Sequence, residues 1–133
     1  MIYLLDVNVL IALAHKDSVF HASVSKWVAE LDHSRDGLAF CAVAELGLVR
    51  ILPQLAEADY TVEDAKLLLA RLKAALQLPT PFFSDDLSAQ ELPSWVRTPR
   101  QTTDGHLATL AKAHGAMLAT LDRKIPGAFL IPG

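Results

Sequence analysis

One cysteine, Cys41, occurs in 133 residues, so no disulfide can form within the chain and no cysteine-rich zinc site can be assembled. It lies in the apolar stretch "LAFCAVAEL", where it reads as a buried, inert thiol. No apolar run approaches the roughly 18 residues that a membrane span requires. The opening "MIYLLDVN" lacks the basic segment of a secretory leader. A cytoplasmic protein without a membrane partner is therefore expected. Neither the Walker nor the dinucleotide glycine pattern is found. Basic charge is also short: 12 Lys and Arg stand against 15 Asp and Glu, a formal net charge of −3. That balance opposes a purely electrostatic nucleic-acid binder. It leaves open an enzyme that places cations between its own acids and a phosphate.

What is present is apolar. Hydrophobic residues make up 52% and charged residues 20%, the composition of a chain that buries a core. The length suits one domain over residues 1–133. Residues 2–5, "IYLL", form an unbroken apolar run, as in a strand covered on both faces. Asn8 is placed to cap a helix to about His15, and Asp17 or Ser18 to open a second. In that second helix Val24, Trp27, Val28 and Leu31 recur at helical spacing. "LAFCAV" (38–43) reads as a strand leading into a helix that carries Glu45 and stops before Pro53. "TVEDAKLLLARLKAALQ" (61–77) predicts a helix with a capping-box-like Thr61 and Asp64. "FF" (82–83) is a short strand, and 84–101 is mixed. Thr102 or Thr103 caps a helix over 104–114, stopped by Gly115. "AMLATL" (116–121) and "AFLI" (128–131) are the last strands. Strands alternating with helices predict an α/β domain with a mainly parallel sheet.

In such sheets ligands bind beyond the carboxyl ends of the strands. Asp6 and Asp122 fall at such ends, and Glu45 and Asp104 in the first turns of helices that start nearby. Taken singly, each has an ordinary explanation: an Asx turn, a helix-dipole partner, a solvated side chain. Together they are harder to set aside. Asp6, Glu45 and Asp122 are embedded in apolar sequence, where a carboxylate loses hydration and needs compensation. Few basic residues lie close in sequence. Clustered oxygens without matching cations suit a hard ion such as Mg²⁺ or Mn²⁺. His15, His21, His33, His106 and His114 show no supported metal-ligand spacing, and surface or capping roles are expected. His106 is the one to test, two residues beyond Asp104. "SDDL" (84–87) reads as a solvated acidic loop.

The segments "LLDVNVLIAL", "AELGLVR", "RQTTDGHLATLA" and "GAMLATLDR", in that order across residues 2 to 131, resemble the motifs of PIN-domain ribonucleases, especially VapC-type toxins of toxin–antitoxin pairs. The resemblance implies an α/β/α sandwich and a Mg²⁺-dependent endoribonuclease. It makes Asp6, Glu45, Asp104 and Asp122 the four acids. Asp6 and Asp104 would be the principal metal ligands, with Glu45 and Asp122 ligating directly or through water. Asn8 and Thr103 would orient the acids, with Thr120 a further candidate. An antitoxin and a second copy of the chain would be partners, and RNA the substrate. Apolar residues of the first half (Val19, Phe20, Val24, Trp27, Leu48, Val49, Ile51, Leu52) exceed what one small core needs and would supply part of that surface. Two rivals stand beside this reading. A non-catalytic RNA- or protein-binding module of the same fold would be favoured by loss of an acid, and none is lost. A phosphohydrolase of the haloacid dehalogenase type needs an aspartate two residues after the first, where this chain has Asn8.

Overall fold

Strand β1 (Ile2–Leu5) lies at the centre of the sheet, with Leu4 and Leu5 fully buried. The computed structural model describes residues 1–56 and 58–133. After β1 come α1 (Val7–Ala14), α2 (His21–Glu30), β2 (Gly37–Cys41), α3 (Ala42–Ile51) and α4 (Val62–Ala75). They are followed by β3 (Phe82–Phe83), α5 (Thr102–Ala113), β4 (Met117–Thr120) and β5 (Phe129–Leu130). Among the described residues, short 3-10 turns occupy Leu52–Gln54, Ala89–Glu91 and Pro99–Gln101.

Among the described residues, the five strands form one sheet in the order β3-β2-β1-β4-β5, and every pairing is parallel. Such strands must be covered on both faces, which explains why β1, β2 and β4 read as unbroken apolar runs. Helix α1 packs on α2, α3 and α4, while α5 packs on β1 and β4, giving the α/β/α arrangement expected. Side chains such as Leu10, Phe40, Leu48, Leu107 and Leu110 fill the space between helices and sheet. From β1 the chain steps outward through β2 to β3, then crosses to β4 on the other side. The strand order therefore reverses between β1 and β4, the place where open α/β sheets form a crevice at their carboxyl ends.

Several boundaries differ from expectation for local reasons. Helix α1 is capped by Asp6, whose side chain accepts the Val7 N–H, and not by Asn8. Helix α2 starts at His21, later than Asp17 or Ser18, because Ser18 closes a turn of its own: its N–H donates to His15 O and its hydroxyl accepts the Phe20 N–H. Strand β2 ends at Cys41, since Ala42 is already helical. Helix α4 ends at Ala75, short of 77, and its Thr61–Asp64 capping box is complete. Helix α5 begins at Thr102, continuous with the turn that Pro99 starts, so Gln101 takes the cap position expected of Thr102 or Thr103. Gly115 ends α5 with a φ of +66°, a left-handed conformation that glycine adopts without steric cost.

Candidate active site

The end of β1 sets the first acid. Asp6 continues the β1–β4 ladder, its N–H donating to Ala119 O at 3.1 Å, and its carbonyl accepts the N–H groups of Val9 and Leu10. The backbone thus turns from strand to helix at this residue, leaving the carboxylate only 3% exposed. One oxygen, Oδ1, accepts the Val7 N–H at 2.7 Å. The other, Oδ2, accepts the hydroxyl of Thr120, the last residue of β4, at 2.7 Å. Thr120 Oγ1 in turn accepts the Asp122 N–H at 3.0 Å, and Asp122 Oδ1 accepts the Lys124 N–H at 2.9 Å. A single buried hydroxyl therefore ties the ends of β1 and β4 together and aligns two acids beside the point where the strand order reverses.

Asp104 enters from the first turn of α5, half-buried. Its carboxyl is pushed up to about 6, first by lost hydration and then by the charges of Asp6 and Asp122. Burial raises Asp6 as well; the hydrogen bonds from Thr120 and Val7 offset part of that rise, and Asp122 adds to it. The charges acting on these two carboxyls are thus other carboxylates. Three of the four expected acids, Asp6, Asp104 and Asp122, are electrostatically one cluster. A groove of about 450 Å³ opens beside them, lined by Asn8, Ile11, Ser18, Phe20, Leu121 and Asp122. A cavity of about 480 Å³, against α5 and β4 at Trp95, Ala111 and Met117, contains none of the four acids and is lined largely by apolar side chains.

A family model of the PIN domain matches residues 3–128. The chain belongs to the PIN-domain family. Among relatives of this PIN domain, ribonuclease VapC38 of Mycobacterium tuberculosis is 36% identical over 123 residues, covering 90% of this chain and 84% of its own. Ribonuclease VapC29 of the same organism is 34% identical over 125 residues, covering 92% and 86%. Solved structures with the same fold include VapC20 of Mycobacterium tuberculosis, described as a Sarcin-Ricin loop cleaving toxin, with a TM-score of 0.68 and 13% identity over 99% of this chain and 100% of that one. VapBC2 of Rickettsia felis, solved on a DNA fragment from its promoter, has a TM-score of 0.65 and 19% identity over 98% and 97%. These likenesses identify the chain as a VapC-type PIN domain.

The remaining expected site residues are placed differently in this PIN domain. Glu45, in the first turn of α3, is turned to α4, where Lys73 Nζ stands 2.6 Å from its Oε2. Oε2 is a buried carboxylate oxygen compensated by that ammonium. Asn8 and Thr103 are exposed, and among the described residues neither side chain makes a hydrogen bond; Thr120 is the neighbour that orients Asp6. Asp85 of "SDDL" is no solvated loop acid: His106 Nε2 donates to its Oδ2 at 2.6 Å, and both side chains are largely buried. This contact ties the segment after β3 to α5 and gives His106 a carboxylate partner. The cysteine lies buried, and burial pushes its thiol up, as expected of an inert side chain.

The donor set suits a hard divalent cation. Its atoms are carboxylate oxygens, and two of its acids hold protons more tightly than usual, first because burial strips their hydration and then because the charges acting on them are other carboxylates. Among the described residues, no three Asp, Glu, His or Cys side chains converge closely enough to grip an ion as they stand. A closed protein cage is thereby excluded for this arrangement. Mg²⁺, however, is commonly held by one or two carboxylates, with water and substrate phosphate completing its shell, and that requirement is met here.

Proposed function

We propose that the chain is a divalent-metal-dependent endoribonuclease, the toxin of a type II toxin–antitoxin pair. The observation that carries this reading is the uncompensated cluster of Asp6, Asp104 and Asp122 at the reversal of strand order. The kinship with proteins named VapC ribonucleases supports the same activity.

In this reading Asp6 and Asp104 hold Mg²⁺, or Mn²⁺ in its place, with Asp122 and Glu45 contributing directly or through water. Such an ion, when bound, supplies charge neutralisation at the phosphodiester and lowers the pKa of water. The chain's own residues do the rest. Thr120 and the Val7 N–H fix both oxygens of Asp6, so its carboxylate needs no rearrangement to bind. Pre-set geometry of this kind lowers the cost of the reacting arrangement. The charge of Asp6 acts on Asp104, on α5, and a divalent cation held by the two acids would offset that repulsion at neutral pH. Asp122 uses Oδ1 for the Lys124 N–H and lines the open groove, so it is the acid placed to take a proton from an attacking water. Glu45, engaged by Lys73, is less available for that role. The neighbouring groove receives the RNA strand.

Hydrolysis of RNA in Mg²⁺ and in EDTA, with Asp6→Asn and Asp104→Asn beside the wild type, tests the reading. Asparagine keeps the shape and removes the charge, so each variant is expected to lose at least about a hundredfold in rate. Wild-type rates in either variant, or equal rates with EDTA, would overturn it. Hydrolysis of a phosphomonoester but not RNA would favour a small-molecule phosphatase instead. The partners in this reading are an antitoxin and a second copy of the chain.

A further inference from the structure

Glu45 and Lys73 come from different helices, α3 and α4, and meet at 2.6 Å with the glutamate side chain 19% and the lysine 35% exposed. Surface ion pairs rarely reach that separation or that burial. The ammonium also lies over two aromatic rings, 4.9 Å from the centroid of Phe40 and 5.5 Å from that of Phe82. These two phenylalanines are paired across β2 and β3, so their ring faces form one cradle. Glu45 Oε2 lacks a directed hydrogen bond despite its burial.

Glu45 also stands outside the acid cluster. The charges that raise Asp104 are Asp6 and Asp122, the charge that raises Asp6 is Asp122, and Glu45 is not among them. Yet α3 packs against both α1 and α5, the helices that follow Asp6 and carry Asp104. We propose that Lys73 is an internal counter-ion that holds Glu45 away from the metal site, and that divalent metal binding draws Glu45 off it. Lys73 is then a positioning residue that sets metal affinity. This inference rests on the metal-dependent reading above.

The cradle makes the exchange feasible. When Glu45 leaves, the ammonium keeps the faces of Phe40 and Phe82, and its partial exposure admits water. Lys73 therefore does not become a buried, unpaired charge. Before the exchange, every metal ion that recruits Glu45 must also break the ion pair, which lowers the apparent affinity.

Calorimetric titration of the full chain with Mg²⁺ and with Mn²⁺ tests the proposal. Lys73→Met keeps the length of the stem and removes the charge, and is expected to bind either ion about fivefold more tightly or better. Lys73→Arg should stay near the wild type. In a Glu45→Gln background, Lys73→Met should have no effect, because the lysine acts through the glutamate. An equal gain in that background would mean simple long-range repulsion and overturn the proposal, as would unchanged affinity in Lys73→Met. Should Lys73→Met fail to fold, the wild type gives a second readout. Amine acylation at Lys73, followed by mass spectrometry, should run several-fold faster with saturating Mg²⁺ than with EDTA; an unchanged or slower rate overturns it. If the wild type binds neither ion, both this inference and the reading beneath it fail. If the wild type binds and Asp104→Asn does not, yet Lys73→Met is unchanged, the role of Lys73 alone fails.

Discussion

At the residue scale, Asp104 carries the largest consequence. Its carboxyl has a pKa of about 6 in the folded chain against an ordinary 3.8, because it loses hydration and faces Asp6 and Asp122. Between those values the folded state holds a proton that the unfolded state has released. The cost of keeping the group ionised is therefore fully present above pH 6 and is relieved as pH falls through that value toward 4. Asp6, raised in the same direction, adds to the effect. Asp104 is half open to solvent, so screening cuts the gain to about 1 kcal/mol. The metal-free protein should thus melt a few degrees higher at pH 5 than at pH 7.5. Asp104→Asn should abolish most of that rise and stabilise the metal-free chain at pH 7.5. Mg²⁺ should raise the wild-type melting temperature more than the variant's. Were Asp104 only a partner for the α5 dipole, the substitution would be neutral or destabilising and Mg²⁺ would not distinguish the two proteins. Melting curves in EDTA and in Mg²⁺ at both pH values decide between them. The positions of Asp6, Asp104 and Asp122 were legible in the sequence because each follows an apolar run or a helix start. The orienting role of Thr120 was harder to see, since its hydroxyl reaches Asp6 across 114 residues of chain. Only its place two residues before Asp122, at a strand end, hinted at it.

At the scale of elements, the sheet was legible and the helix starts were less so. Parallel strands covered on both faces leave unbroken apolar runs, which is why β1, β2 and β4 stood out. Helix N-termini depend on which nearby polar group wins the first free N–H groups. Asp6 outcompeted Asn8, and Pro99 moved the start of α5 ahead of the threonines. The Glu45–Lys73 pair could not be read at all, because it requires knowing that α4 lies on α3. How closely α3 can approach α1 depends on Gly47. A Cβ there would stand 2.8 Å and 2.9 Å from the two methyls of Val7, which is buried and stiff at its branched carbon. Gly47→Ala should therefore destabilise the protein by about 1–3 kcal/mol through overpacking, against which the better helix propensity of alanine returns less than about 1 kcal/mol. Leu46→Ala, one residue away on the exposed side of α3, should stay within about 0.5 kcal/mol. Urea denaturation of the two variants checks the contrast, and equal midpoints would remove the close approach as the reason for glycine. Because Gly47 is two residues from Glu45, the forced shift of α3 should also reduce RNA cleavage.

At the scale of the whole molecule, the apolar residues of the first half divide into two groups. Val24, Trp27, Leu48 and Leu52 belong to the core, and Val49 and Ile51 pack partly buried against it, so the expectation that they form a docking surface does not hold for these six. Val19 is 88% and Phe20 49% exposed, and Leu46 on α3 is exposed as well. Exposed aromatic and aliphatic side chains of this kind are the anchors that partners bury. Phe20 also lines the groove shared with Asn8 and Asp122. A protein that covers Phe20 would therefore close the mouth of the groove, joining partner binding to loss of activity without any change in the acids themselves. On the proposed toxin reading, co-expression with the product of the neighbouring short reading frame should give a stable complex that does not cleave RNA. Val19→Ser combined with Phe20→Ser touches no core position, so the variant should fold with little change in stability. Its complex should weaken at least about tenfold, the loss expected when one aromatic anchor is removed. Sizing chromatography and a binding isotherm measure both effects. A double variant that binds the partner as tightly as the wild type would move the docking surface elsewhere, towards the exposed side of α3 at Leu46.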